Sequence, residues 1–134
     1  MDADERVGVR DPRDRPLQVR PGGTLLFIGG TGGRGTAAGL SLIAALSALT
    51  KTLALEIAAA RVNLIAAGFV DTPLSASLHG DRIGERREQL RTTLPIGRVV
   101  GPADIAALAV HLMTNTAITG ATFDIDGGQQ LVEG

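Results

Sequence analysis

Two short apolar runs, TLLFIG at 24–29 and RVNLIAA at 61–67, set the strongest limit on how this chain folds. Each is continuous rather than alternating. A strand that is apolar on both faces is buried on both faces, which is the pattern of a parallel sheet covered by helices. Between the runs lies LSLIAALSALTKTLALEIAA, residues 40–59, where Leu, Ile and Ala recur at three- and four-residue spacing. That spacing predicts a helix with a broad apolar face. Strand, helix, strand in this order is a parallel unit joined by a crossover.

The rest of the chain extends the pattern. GFVDTP (68–73) reads as a loop stopped by Pro73, DRIGERREQLRT (81–92) as a short charged surface helix and LPIGRVVGP as a connecting loop. Pro102 suits a first helical turn, and ADIAALAVHLMT continues it at helical spacing. ATFDIDGG (121–128) alternates and closes on two glycines, so it reads as a strand ending in a turn. The expected fold class is α/β, with about three parallel strands and flanking helices.

Composition narrows function by exclusion. The 134 residues suffice for one modest domain. A net charge of −1 gives no electrostatic case for nucleic acid or an anionic membrane. No apolar run is expected to approach the roughly 20 residues needed to span a bilayer. The opening MDADERVGVR is charged from its start and reads as lacking a signal-peptide core, so a cytoplasmic protein is expected. Residues 1–20 alternate Asp and Arg around Pro12 and Pro16 and read as a disordered or loosely packed leader; 21–134 read as the folded unit. With no cysteine, thiolate nucleophiles and Cys-ligated metals are excluded. There is no tyrosine and one lysine, Lys51, which excludes a tyrosine acid or a Tyr–Lys pair.

After the first strand, Gly30, Gly32 and Gly35 fit G-x-G-x-x-G, a loop that binds pyrophosphate when its backbone N–H groups converge with a helix N-terminus. The strand before, the helix after and the spacing favour that reading. Against it, the next strand ends Ala66-Ala67 with no acid for ribose hydroxyls, and Thr36 to Gly39 delay the helix. The motif alone is weak, and a plain strand-to-helix loop is the stronger reading. If the loop does hold phosphate, Gly32→Val would abolish binding.

The second half of the chain is more specific. RVNLIAAGFVDTP followed by PIGRVVGPADIAALAVHLMTNTAITGATFDIDGG resembles the C-terminal half of short-chain dehydrogenases/reductases. That family's pattern runs R-V-N-x-I-x-P-G-x-V-x-T, then G-R, P-x-D-I-A, I-T-G and V-D-G-G. The resemblance covers about residues 21–134 and implies part of a Rossmann-type sheet. It also implies that GGTLLFIGG is the strand that ends in the family's catalytic serine, so the glycines at 30–35 occupy the active-site corner and are not the cofactor loop.

The resemblance implies hydride transfer between NAD or NADP and a carbonyl or alcohol. In the family a tyrosine is the acid–base, a lysine four residues later lowers its pKa, and a serine orients the carbonyl. Matched forward from the strand, those positions hold Gly30, Ile43 and Ser47. Matched backward from TKTLALE, the tyrosine and lysine positions hold Gly39 and Ile43. No catalytic residue is therefore assigned, and Lys51 reads as a solvated helix charge. Gly68, Val70 and Thr72 stand where the family contacts the carboxamide and phosphates, with Ala67 in place of the usual proline. They are the candidate cofactor-binding residues.

Other polar residues read as structural. His79 reads as a loop residue and His111 as a helix-face residue, neither with partners at metal spacing. Asp124 and Asp126 share one face of the last strand, Asp104 suits a helix N-terminus, and Asp71 is a loop acid with no visible partner. No metal site is expected. Three readings follow: a truncated, catalytically degenerate family member, a non-catalytic module that pairs with itself or a partner chain through an open sheet edge, or a minimal nucleotide binder that uses Gly30–Gly35 as a phosphate loop.

Overall fold

The structure is a computed structural model, and it describes residues 19–31 and 36–133. Most of the expected leader, and Gly32, Gly33, Arg34 and Gly35 of the glycine loop, lie outside the described residues. Three strands, β1 (Thr24–Gly30), β2 (Arg61–Ala67) and β3 (Thr122–Ile125), form one parallel sheet in the order β1-β2-β3. Thr24 pairs with Arg61, and Leu64 with Thr122. Among the described residues, five α-helices accompany the sheet, α1 (Ala37–Glu56), α2 (Pro73–His79), α3 (Ile83–Thr93), α4 (Pro102–Thr114) and α5 (Gln129–Val132), with a 3-10 turn at Gly80–Arg82 between α2 and α3. This is the expected α/β, Rossmann-like architecture.

β2 is central, and Val62 through Ala66 are buried. Asn63 is fully buried among them and loses nothing by it. Its Nδ2 donates to Ile118 O at 3.1 Å, and its Oδ1 accepts from Ala121 N at 3.1 Å. The amide thus welds the middle of the sheet to the turn that feeds β3. Arg61, at the start of β2, donates to the carbonyls of Leu112, Met113 and Asn115. A guanidinium there satisfies the orphan carbonyls and complements the negative end of α4.

Helix boundaries differ from the sequence reading for local reasons. α1 begins at Ala37 because Thr36 caps it, its Oγ1 accepting from Gly39 N at 3.0 Å. It ends at Glu56, and Ala59 then turns the chain at φ +82°. The loop does end at Pro73, which opens a helix, α2, that Thr72 and Ser75 cap reciprocally. β3 stops at Ile125, because the Asp126 side chain folds the following residues into α5.

The sequence count of apolar residues also understated α1. The helix runs 20 residues with few charges and is long and apolar enough to cross a membrane by length and composition alone. Its inner face lies on the sheet: Thr50 is fully buried, and Ser47 Oγ lies 3.1 Å from Thr122 Oγ1. Leu40, Leu42, Leu49 and Leu55 remain exposed.

Candidate functional site at the carboxyl ends of the strands

The three strands end together: the Asp126 carboxylate joins the end of β1 to the residues after β3, and backbone bonds join both to the end of β2. Asp126 is 5% exposed. Its Oδ2 accepts from Thr31 Oγ1 at 3.1 Å and Gln130 N at 3.0 Å, while Oδ1 accepts from Gly128 N at 2.9 Å. Thr31 follows β1 and bonds Ala67 O through its own N–H at 2.8 Å; Gly68, following β2, donates to Ile125 O at 3.3 Å. Asp126 therefore has the structural role expected for it. Asp124 lies on β3 with an exposed side chain that accepts from Gln130 Nε2 at 2.8 Å.

The loop after β2, Gly68 to Thr72, is held at nearly every residue. Gly68 packs so closely that a Cβ there would stand 2.6 Å from both Asp126 Cβ and Gln129 Oε1. Phe69 N–H donates to Gln129 Oε1 at 2.8 Å. Val70 is half-buried. Asp71 has the partner that its sequence neighbourhood did not show: Arg87 on α3 grips both carboxylate oxygens, with Nε–Oδ2 at 3.0 Å and Nη2–Oδ1 at 2.8 Å. Thr72 N–H donates to Ser75 Oγ at 2.9 Å, and Thr72 Oγ1 accepts from Ser75 N at 3.1 Å.

His79 ends α2 rather than lying in a loop, and its ring meets Phe69 edge-on at 5.5 Å. His111 is an exposed residue of α4. Asp104 sits in the first turn of α4. Hydrogen bonds from Arg98 and from Gly101 N–H hold its carboxyl well below the usual carboxylate range. At Glu133, burial pushes the carboxyl up, but hydrogen bonds from Arg86 and Gln129 outweigh it and keep the group below its ordinary value.

The positions matched to family catalytic groups offer no acid–base pair. Gly30 is the last residue of β1, and Ile43 is half-buried on α1. The Ser47 hydroxyl is engaged with Thr122 on the sheet, and Lys51 is exposed. A groove of about 460 Å³ runs past Ile96, Val100 and the Arg98–Asp104 pair to the outer side of β3. It does not include Gly68, Val70 or Thr72.

The geometry allows a cofactor less than the loop sequence suggests. Gly68 is filled by Asp126 and Gln129, and the Phe69 and Thr72 N–H groups are bonded within the fold. The Thr72 hydroxyl is held more loosely than these groups, donating to Ser75 Oγ at a long 3.4 Å.

Parallel strands with flanking helices and a polar cluster at their carboxyl ends define a Rossmann-type protein. Residues 22–130 match the family model for enoyl-(acyl carrier protein) reductase, and the chain belongs to the short-chain dehydrogenase/reductase family. It is 34% identical over 117 residues to carbonyl reductase family member 4 of Danio rerio, covering 83% of this chain and 46% of that protein. Over 126 residues it is 31% identical to the 3-oxoacyl-[acyl-carrier-protein] reductase of Vibrio harveyi, covering 88% of this chain and 50% of that one. Among solved structures, a small-chain dehydrogenase in complex with NADPH matches with a TM-score of 0.75 and 30% identity, over 84% of this chain and 53% of that chain. The chain spans about half the length of these relatives.

Proposed function

We propose that this chain is a catalytically degenerate short-chain dehydrogenase/reductase that keeps one wall of a nicotinamide cofactor site and performs no hydride transfer of its own. The loop Gly68–Thr72 supports the first part. It is fixed by the Asp71–Arg87 clamp, the Phe69–Gln129 bond and the Thr72–Ser75 cap, and it presents the Thr72 hydroxyl. The empty acid–base positions support the second, since reduction of a carbonyl needs a proton donor at the developing alkoxide and the chain has no tyrosine. NAD and NADP are both candidates, because a single hydroxyl at the nicotinamide end does not distinguish them.

The test is a titration of NADH and NADPH followed by nicotinamide fluorescence, on protein shown to be folded by circular dichroism. The chain has no Trp or Tyr, so energy transfer from protein does not contribute. Saturable enhancement in the micromolar range is expected, without oxidation of the cofactor when aldehydes or ketones are added. No binding up to millimolar cofactor overturns the reading.

A second reading, an interaction module, is favoured by the outer edge of β1. Arg61 N–H bonds Gly23 O, and Thr31 N–H bonds Ala67 O. Residues 23, 25, 27, 29 and 31 thus point their peptide groups at β2, while Thr24, Leu26, Ile28 and Gly30 turn theirs outward. The strand carries no charge, proline or bulge to guard that edge, and Ile28 is 62% exposed. Pairing there with a second copy, or with a partner chain that contributes a strand, would complete the sheet. Sedimentation equilibrium is expected to show concentration-dependent association that Ile28→Lys weakens about tenfold or more, a change of about 1.4 kcal/mol. A monomer at all concentrations contradicts this second reading.

A further inference from the structure

The contacts around Phe69 point to a role for the C-terminal helix. Gln129 is 6% exposed, and its amide uses both ends. Oε1 accepts from Phe69 N–H at 2.8 Å, and Nε2 donates to Glu133 Oε2 at 2.7 Å. Glu133 Oε1 in turn accepts from Arg86 Nη1 at 2.9 Å. The Arg86 guanidinium lies over the Phe69 ring, 5.8 Å from its centroid. Phe69, Gln129, Glu133 and Arg86 therefore form a closed circuit, which holds Phe69 by its backbone on one side and by its ring on the other.

We infer that Gln129 is a positioning residue for the Gly68–Thr72 loop, and that α5 acts as a latch that keeps this loop in its cofactor-facing shape. The inference rests on the reading of that loop as a nicotinamide wall. The chemistry at position 129 is restrictive. The side chain must accept from a peptide N–H at one end and donate to a carboxylate at the other, and a primary amide of this length does both. A glutamate would keep the acceptor but set two carboxylates against each other. A leucine would fill the space and leave Phe69 N–H without its acceptor.

The latch also explains how a loop without regular structure is held. Two adjacent arginines tether α3 in different directions. Arg87 reaches the loop at Asp71, and Arg86 reaches α5 at Glu133. Releasing α5 removes one of these tethers together with the acceptor for Phe69.

The experiment compares amide hydrogen exchange at Phe69 and NADPH affinity in the full chain and in Gln129→Glu, Gln129→Leu and Glu133→Gln, at one pH near neutrality. Phe69 exchange is expected to accelerate about fivefold to tenfold in Gln129→Leu, the loss of one hydrogen bond, and in Gln129→Glu, where repulsion from the Glu133 carboxylate draws the acceptor away from Phe69 N–H. Exchange at Leu64 and Ile65 in the core of β2 should stay unchanged. NADPH affinity should fall by a similar factor in both. Glu133→Gln, at a part-exposed position, is expected to keep the fold and show a smaller acceleration, which keeps the idea testable if the Gln129 variants do not fold. Unchanged Phe69 exchange in folded variants overturns the latch. Faster exchange with unaltered NADPH affinity overturns the positioning role. If the parent chain binds no NADPH, the cofactor wall fails, but the exchange data still decide whether the latch exists.

Discussion

Replacing Asp126 by alanine is expected to lower stability by about 3 kcal/mol, since three donors to a buried carboxylate lose their acceptor at once. The Thr31 hydroxyl and the Gly128 and Gln130 N–H groups all point at this carboxylate, in a place that water reaches little. Asp126→Asn keeps the shape and one carbonyl oxygen but turns an NH₂ toward a donor, so about half of the cost is expected to remain. Urea denaturation followed by far-ultraviolet circular dichroism reads both. An Asp126→Ala variant within about 0.5 kcal/mol of the parent, the ordinary range for a surface change, would show that the strand ends are tied by something else.

Gly68→Ala is the second large effect, at about 2–3 kcal/mol, the cost of forcing atoms into a packed site. The added methyl would meet Asp126 Cβ and Gln129 Oε1 at 2.6 Å each, and Asp126 Cα at 3.2 Å. Asp126 is held by three hydrogen bonds and has little room to yield. The result separates two reasons for a glycine here. If Gly68 serves only the approach of a cofactor, alanine leaves the urea midpoint unchanged and weakens NADPH binding. If it serves the packing seen in the fold, the midpoint itself falls. The structure predicts the second, because the space a side chain would fill is already taken by the protein.

Much of the fold was legible because it rests on continuous hydrophobic patterning. β2 occupies the expected residues 61–67, and β1 extends one residue beyond the expected 24–29. Features set by single side-chain hydrogen bonds were harder to read. The Thr36 cap moved the start of α1, and the carboxylate of Asp126 cut β3 short and produced α5. At Thr72-Pro73-Leu74-Ser75 a hydroxyl residue, a proline and a second hydroxyl at the capping distance mark a helix start, a signal that a proline ending a loop by itself does not give.

The bonding of the candidate site was not legible in the sequence. Its location at Gly68–Thr72 followed from the family resemblance. That Gly68 is packed, that Phe69 N–H is bonded to Gln129 and that Asp71 is clamped by Arg87 depend on partners distant in sequence, which periodicity and spacing do not reveal. Gln129 and Arg86 are the residues that sequence reading missed altogether.

The all-parallel register carries a consequence for how the chain reaches this fold. No two of its strands are joined by a hairpin: Thr24 must find Arg61, and Leu64 must find Thr122, across an intervening helix or several. Each pairing closes a long loop before any ladder bond repays that entropy. α1 can form early from local contacts, but β2 gains its burial only when both neighbours arrive. Chain closure is therefore expected to limit the folding rate, and until it happens the uncharged β1 segment is open to other copies of the chain. The search for a third strand is expected to compete with aggregation, which refolding yields at rising protein concentration would read.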